Sequence, residues 1–167
     1  MIDKIYFDMD GVLADFDGFV KHQLGMAYSA GEKHWLPSDD EMWERARNTS
    51  HFYYQLNIMD GAKKMFDMVF QKYGSQCEIL TGIPKPKRGL LTASEDKTAW
   101  AREFLSPDIT VNIVFKEQKP QFCKGKNSIL IDDTERNIAE WEQSGGTGIL
   151  HTSPEDTVRR LKELHLL

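Results

Sequence analysis

Residues 5–13 read IYFDMDGVL, and they give the strongest indication of the fold of the chain. Its first three residues are apolar and predict a buried strand, with Asp8 and Asp10 at its carboxyl end. Two carboxylates this close repel each other, and burial strengthens the repulsion. A hard divalent cation such as magnesium relieves it, and Gly11 lets the chain turn away from the site. Taken alone, the stretch is equally consistent with an acidic turn at Asp10-Gly11.

A second acidic pair, Asp132-Asp133, follows the apolar run at residues 128–131. If this strand and the first one are neighbours, their carboxyl ends meet at one edge of the sheet. We expect Thr134 to cap the next helix and to leave Asp132 for a metal ion; alternatively, Asp133 or Thr134 is only a helix cap. The candidate metal ligands are Asp8, Asp10, Asp132 and Asp133.

Two further features suit a phosphoryl group. Thr81-Gly82 ends another predicted strand, where a threonine hydroxyl and backbone N–H groups can hold phosphoryl oxygens. A plain strand-to-loop turn is the simpler interpretation of these residues alone. A cation is also needed, and composition does not choose among the lysines that precede the Asp132 strand, namely Lys116, Lys119, Lys124 and Lys126.

Apolar runs without strict alternation predict five strands that are covered on both faces. Helical patterns lie between them, with predicted starts at Asp60, Thr92, Thr134 and Ser153. This order predicts an α/β fold, a doubly wound, parallel, five-stranded Rossmann-like sheet. The predicted strands are residues 4–8, 77–81, 109–115, 128–132 and 147–151.

Residues 16–60 interrupt this alternation because they contain no convincing strand. Ser38 and Glu41 form a capping box, and apolar residues follow at helical spacing. We therefore predict a small helical cap at 16–60, inserted after the first strand into a catalytic core of residues 1–15 and 61–167. Such a cap would lie over the strand ends, where open α/β sheets bind ligands.

Composition limits the classes of partner. The chain has 167 residues, of which 40% are apolar, enough for one domain with a small insertion. Its formal net charge of -5 argues against polymeric nucleic acid as a partner, but not against a small phosphorylated ligand. No apolar run is long enough for a membrane span, and the two cysteines do not suggest a disulfide scaffold. We expect a cytoplasmic protein, and the sequence is compatible with a homodimer.

Taken together, these elements resemble the haloacid dehalogenase (HAD) superfamily of phosphohydrolases. Residues 8–12 (DMDGV) match its first motif, Thr81 its second and Asp132-Asp133 its fourth. Residues 8–16 also look like the opening of the 5'(3')-deoxyribonucleotidases. In that family, a Thr-Ser-Pro-x-Lys stretch resembles residues 81–85, and the end of the cap resembles residues 52–54.

The resemblance implies a Mg²⁺-dependent phosphatase that acts on (deoxy)nucleoside monophosphates through an aspartyl phosphate. Asp8 would be the nucleophile and Asp10 the general acid and base, with the Asp10 carbonyl as a metal ligand. Residues 114–118 line up with the run before the motif-three lysine, which singles out Lys119, with Lys116 as the alternative. Thr81 and Lys119 would stabilise the phosphoryl charge. The implied substrate-binding residues are Phe16, Phe52, Tyr53, Gly82 and Lys85.

One departure from the family is Gly82, which stands where the family has a serine that contacts phosphate.

Two other activities fit parts of the pattern. One is a HAD phosphatase or phosphotransferase for another small phosphorylated metabolite. The other is a receiver-like phosphoacceptor domain, although receivers carry their acid pair early in the chain and their phosphorylated aspartate in the middle.

Overall fold

The computed structural model describes residues 1–167 and contains a five-stranded parallel sheet in the order β5-β4-β1-β6-β7. The strands of this sheet are β1 (Lys4–Phe7), β4 (Cys77–Gly82), β5 (Thr110–Val114), β6 (Ser128–Asp132) and β7 (Thr147–Leu150). The helices are α1 (Phe16–His22), α2 (Asp39–Arg47), α3 (Ala62–Tyr73), α4 (Ala93–Phe104), α5 (Glu135–Gln143) and α6 (Pro154–Glu163). The prediction of a doubly wound α/β sheet is confirmed.

Both faces of the sheet are covered, because successive side chains of a strand point to opposite faces. In β1, Ile5 and Phe7 belong to the larger apolar cluster. Tyr6 belongs to the smaller cluster on the other face, where its ring packs edge-on against Trp141 of α5 at 5.6 Å between ring centroids. This double burial explains why the strands are apolar throughout.

Strand order places the acidic residues together. β1 lies between β4 and β6, with Phe7 paired to Ile79 on one side and to Ile131 on the other. The Asp8 N–H donates to the Ile131 carbonyl at 2.9 Å, so Asp8 and Asp132 leave adjacent strands side by side. Thr81 reaches the same edge from β4.

The predicted cap differs from the expectation in one respect, because it is not wholly helical. Residues 27–29 (β2) and 34–36 (β3) form an antiparallel hairpin between α1 and α2. Each strand has only three residues, too few for the alternation of apolar and polar side chains to stand out. Trp35 is buried and holds the hairpin, with its ring against Tyr28 at 5.1 Å.

The two ends of the 16–60 segment lie next to each other. The Asp15 N–H donates to Asn57 O, and the Met59 N–H donates to Leu13 O, at 2.9 and 2.8 Å. The segment therefore leaves and re-enters the core at one place, as an inserted cap would. Its buried residues belong to the same apolar cluster as those of the core, so the two parts pack as one body.

The N-termini of the helices agree with the predicted capping residues only in part. Ser153 accepts a bond from the Asp156 N–H and caps α6, as predicted, and Ser38 caps α2 in the same way. Gly61 rather than Asp60 precedes α3, and Thr92 uses its hydroxyl to reach the Asp96 carboxylate rather than to cap α4. None of the helices combines the length and the apolar character needed to cross a bilayer.

Candidate active site

The turn after β1 depends on glycine. Gly11 has a φ of +79°, and a Cβ placed there would lie 2.1 Å from Oδ2 of Asp133. Any other residue would be strained in this conformation and would push Asp133 away. Gly11 thus lets the first acidic segment approach the second one closely.

Three carboxylates gather at the ends of β1 and β6. Asp8, Asp132 and Asp133 each offer an oxygen, and these oxygens lie within 4.8 Å of one another. The Lys119 ammonium lies beside them, 2.9 Å from Asp8 Oδ1 and 2.7 Å from Asp132 Oδ2. Lys119 is 3% exposed, so this contact is a buried ion pair. A cluster of carboxylate oxygens suits a hard cation such as Mg²⁺.

Burial and neighbouring charges shift the pKa values of the ionisable groups in this cluster. Burial raises the pKa of Asp8 to about 6; Lys119 opposes this shift, and Asp132 adds to it. Burial and repulsion from Asp8 and Asp132 raise the pKa of Asp133 to about 7. Burial lowers the pKa of Lys119, but the carboxylates of Asp8 and Asp132 outweigh it and hold that pKa above its ordinary value. The site therefore carries more negative charge than its own lysine neutralises.

Asp132 is held more firmly than the sequence suggested. Thr134 lies at the N-cap of α5, but its side chain makes no capping bond. Its N–H donates instead to Asp132 Oδ1 at 2.9 Å, and the Asn137 amide donates to both Asp132 oxygens. The expectation that the Thr134 side chain caps the helix is wrong, whereas Asp132 stays among the candidate metal ligands. Asp132 is fixed by its neighbours, which orients it for a metal ion.

Lys97 of α4 is a site residue that sequence reasoning missed. It is fully buried, and its ammonium donates to Asp10 Oδ2 at 2.7 Å, Thr81 Oγ1 at 2.9 Å and the Gly82 carbonyl at 2.7 Å. A signal was present in the sequence. Lys97 lies four residues after Ala93 and three before Trp100, on the stripe of α4 that faces the core. A charged residue at a core-facing helix position requires a buried partner.

A cavity of about 490 Å³ opens above these groups. Asp8, Asp10 and Lys119 lie in its lining, with Phe16, Trp43 and Tyr53 from the cap. The remaining side chains of the lining come largely from the loops after β4, β5 and β6. Its basic residues beyond Lys119 are Lys85, Lys87, Arg88 and Lys116.

The structure brings most of the predicted site residues to this cavity, but not all of them. Phe16, Tyr53, Gly82 and Lys85 line it, and Lys85 pairs with Glu117 while lying 4.2 Å from the centre of the Phe115 ring. Phe52 lies in the interior of the cap, where its ring contacts Phe16 and Phe19, and it does not line the cavity. Thr81 is fully buried behind the cavity wall.

Gly82 has room for a side chain. A Cβ added there would meet Lys116 at 3.6 Å, an ordinary van der Waals distance. We expect Gly82→Ser to fold with a free energy of unfolding within about 0.5 kcal/mol of wild type. Its hydroxyl can donate to a bound phosphate, so the KM for a phosphate ester should fall roughly threefold to tenfold.

Steady-state kinetics and urea unfolding measure both effects. Gly82→Ala is the matched control, because it fills the same space without a hydroxyl and should leave KM unchanged. A KM that rises in the serine variant would contradict the prediction.

Comparisons with known proteins identify a family and a shared fold. Residues 1–162 match the model of the family "5' nucleotidase, deoxy (Pyrimidine), cytosolic type C protein". The fold resembles a HAD family hydrolase from Deinococcus radiodurans R1 with bound phosphate and sodium, at 14% identity and a TM-score of 0.53, covering 99% of this chain and 97% of that one. A HAD-superfamily hydrolase from Ehrlichia chaffeensis is similar at 13% identity, TM-score 0.52, covering 99% of each chain. Among curated proteins, none matches the sequence.

The two structural likenesses show a shared fold, and the family match extends over nearly the whole chain, including every acid of the site. The chain therefore belongs to the 5' nucleotidase, deoxy (pyrimidine), cytosolic type C protein family and is a phosphatase with the HAD fold.

Proposed function

We propose that this protein is a Mg²⁺-dependent phosphomonoesterase that hydrolyses (deoxy)nucleoside 5'-monophosphates through an aspartyl phosphate on Asp8. The observation that carries the proposal is the position of Asp8 in the cavity lining, 2.9 Å from the Lys119 ammonium and beside two further carboxylates. The family to which the chain belongs supports a nucleotide substrate and, by its name, a cytosolic location.

The carboxylate cluster fits a magnesium ion. Asp8, Asp132 and Asp133 would supply hard oxygen ligands close together, and burial together with repulsion among these carboxylates raises the pKa values of Asp8 and Asp133. We propose that these side chains and the Asp10 carbonyl hold the ion. When bound, Mg²⁺ neutralises charge on the phosphoryl oxygens and on Asp8.

Asp8 attacks phosphorus with one carboxylate oxygen, and the bond from phosphorus to the ester oxygen breaks. Asp10 gives its proton to that leaving oxygen, which departs as an alcohol. Asp10 then takes a proton from a water molecule that attacks the aspartyl phosphate. Inorganic phosphate leaves, and the Asp8 carboxylate is restored.

Lys119 stabilises the negative charge of the transferring group. Lys119 can reach a phosphoryl oxygen from its place beside Asp8, where exclusion of water strengthens the attraction. Phosphoryl transfer relies mainly on positioning and electrostatics of this kind. Lys119 rather than Lys116 takes this role, because Lys116 makes no ion pair with an acid of the site.

The cap supplies the wall of the substrate site. Phe16, Trp43 and Tyr53 face the cavity, and aromatic rings of this kind can pack against a nucleobase. The basic residues of the loop after β4 line the cavity, and their positive charge attracts an anion. Arg88 also pairs with Asp40 of the cap at 2.5 Å, which joins that loop to the cap.

A substrate panel tests the proposal. We expect phosphate release from deoxynucleoside 5'-monophosphates with MgCl₂, and loss of at least about 10³-fold of that activity with EDTA, because the metal site neutralises the reacting charges. The panel also contains 3'-monophosphates, ribonucleotides and sugar phosphates. Turnover of sugar phosphates alone would retain the Asp8 chemistry and overturn the nucleotide assignment. No turnover of any ester by folded protein would overturn the proposed function.

A further inference from the structure

The Lys97 ammonium has no free hydrogen-bond donor for a substrate. It carries three protons, and the structure assigns one each to Asp10 Oδ2, Thr81 Oγ1 and the Gly82 carbonyl. The residue is fully buried and does not line the cavity. A cation placed in this way acts on other side chains rather than on a bound anion.

Its effect on Asp10 is specific to one oxygen. Lys97 holds Oδ2, whereas Oδ1 of the same carboxyl is buried without a hydrogen-bond partner. It is the one buried side-chain oxygen or nitrogen of the protein in that condition. A buried polar atom without a hydrogen-bond partner destabilises the folded protein, and its presence calls for a functional explanation.

We propose that Lys97 is a positioning residue of the phosphatase reaction, which holds Asp10 by Oδ2 so that Oδ1 carries the proton to the leaving oxygen. This inference rests on the proposed function of Asp10. The ammonium donates to Oδ2, so Oδ1 is the oxygen of Asp10 that is left without a protein partner and can exchange a proton with the reacting groups. The unpartnered oxygen thereby becomes the donor in the first step and the acceptor of the water proton in the second.

The contact with Thr81 works in the same direction. The same ammonium donates to Thr81 Oγ1, which ties Lys97 to the buried end of β4 and fixes its position beside Asp10. Tyr53 of the cap covers the ammonium, with Nζ 4.4 Å from the centre of its ring. This cation–π contact shields Lys97 from water and connects the cap to the acid.

Two esters distinguish positioning of the acid from a general structural role. The alkoxide of an alkyl phosphate needs a proton to leave, whereas p-nitrophenolate leaves without one. We therefore compare Lys97→Met with wild type on p-nitrophenyl phosphate and on the best alkyl phosphate of the panel. Rapid-quench measurements give the first turnover separately from the steady state.

We expect Lys97→Met to slow the first turnover of the alkyl ester by about 10²- to 10³-fold, the usual contribution of general acid catalysis. Its first turnover of p-nitrophenyl phosphate should stay within about tenfold of wild type and appear as a burst before slow hydrolysis of the aspartyl phosphate. The affinity for inorganic phosphate, measured by calorimetry, should change less than about threefold, because Lys97 does not touch the anion. Lys64→Met, on the exposed side of α3, is the matched control and should behave as wild type.

A double-mutant cycle covers the case in which Lys97→Met alone folds poorly. Asp10→Asn/Lys97→Met removes both members of the ion pair and leaves no unpaired charge. If Lys97 acts through Asp10, the double variant should turn over the alkyl ester within about threefold of Asp10→Asn.

Equal slowing of both first turnovers in Lys97→Met, or a further large loss in the double variant, would overturn the inference while leaving the proposed function intact. A wild-type protein that hydrolyses neither ester would overturn the proposed function itself.

Discussion

Asp8→Asn should lower the rate of phosphate release from every ester by at least about 10⁴-fold and should leave the fold intact. An amide oxygen is a poor nucleophile, so the aspartyl phosphate cannot form. Lys119 remains in place and can still bind phosphate. The measurement is phosphate release by the purified variant, together with trapping of phosphorylated protein, which should be detectable only in wild type.

The fold should tolerate this change for an electrostatic reason. Lys119 keeps its bond to Asp132, so no buried ammonium is left unpaired. Burial already disfavours the Asp8 carboxylate, as its raised pKa shows. Asp3→Asn, at an exposed position before the same strand, is the matched control with wild-type activity. Substantial turnover by folded Asp8→Asn would exclude Asp8 as the nucleophile.

Without divalent cations, Asp133 should destabilise the protein as the pH rises. Its pKa is raised to about 7 in the folded state, above the ordinary value near 3.8, so the folded protein binds this proton more tightly than the unfolded chain does. The stabilising effect of that proton is complete below about pH 4 and is lost as the pH rises through 7. Asp8, whose pKa is raised to about 6, adds a further loss of stability as the pH rises.

Asp133→Asn isolates this effect. In EDTA the variant and wild type should be equally stable near pH 4, and at pH 8 the variant should be more stable by on the order of 1 kcal/mol, a value reduced for solvent screening of this partly open group. MgCl₂ should stabilise wild type and reverse the order, because the variant lacks one ligand. Urea unfolding at both pH values measures the differences. Asp108→Asn, at an exposed position away from the site, is the control.

A variant that is less stable than wild type at pH 8 in EDTA would contradict the prediction. It would show that Asp133 is stabilised by its surroundings rather than strained by Asp8 and Asp132. Activity of Asp133→Asn should also require a higher magnesium concentration for half-maximal rate. This second readout separates the loss of a metal ligand from a change in stability alone.

The fold class and the acidic chemistry at the ends of two strands could be predicted from the amino-acid sequence. Apolar runs at residues 4–8 and 128–132 predict buried parallel strands because a fully covered strand needs apolar side chains on both faces. The acids that follow each run must then emerge at the carboxyl edge of the sheet. Both inferences use only neighbours along the chain, which is why they could be made without a structure.

The contacts between distant parts of the chain depend on the tertiary structure. The pairing of β1 with β6 brings Asp8 to Asp132, although the two residues lie far apart in the sequence. Lys97 contacts an acid 87 positions away and a threonine 16 positions away, and no local pattern encodes such partners. Phe52 and Tyr53 are adjacent, yet one packs inside the cap and the other faces the cavity. Local periodicity specifies strands and helices, whereas burial of a charge or a ring depends on packing between distant segments.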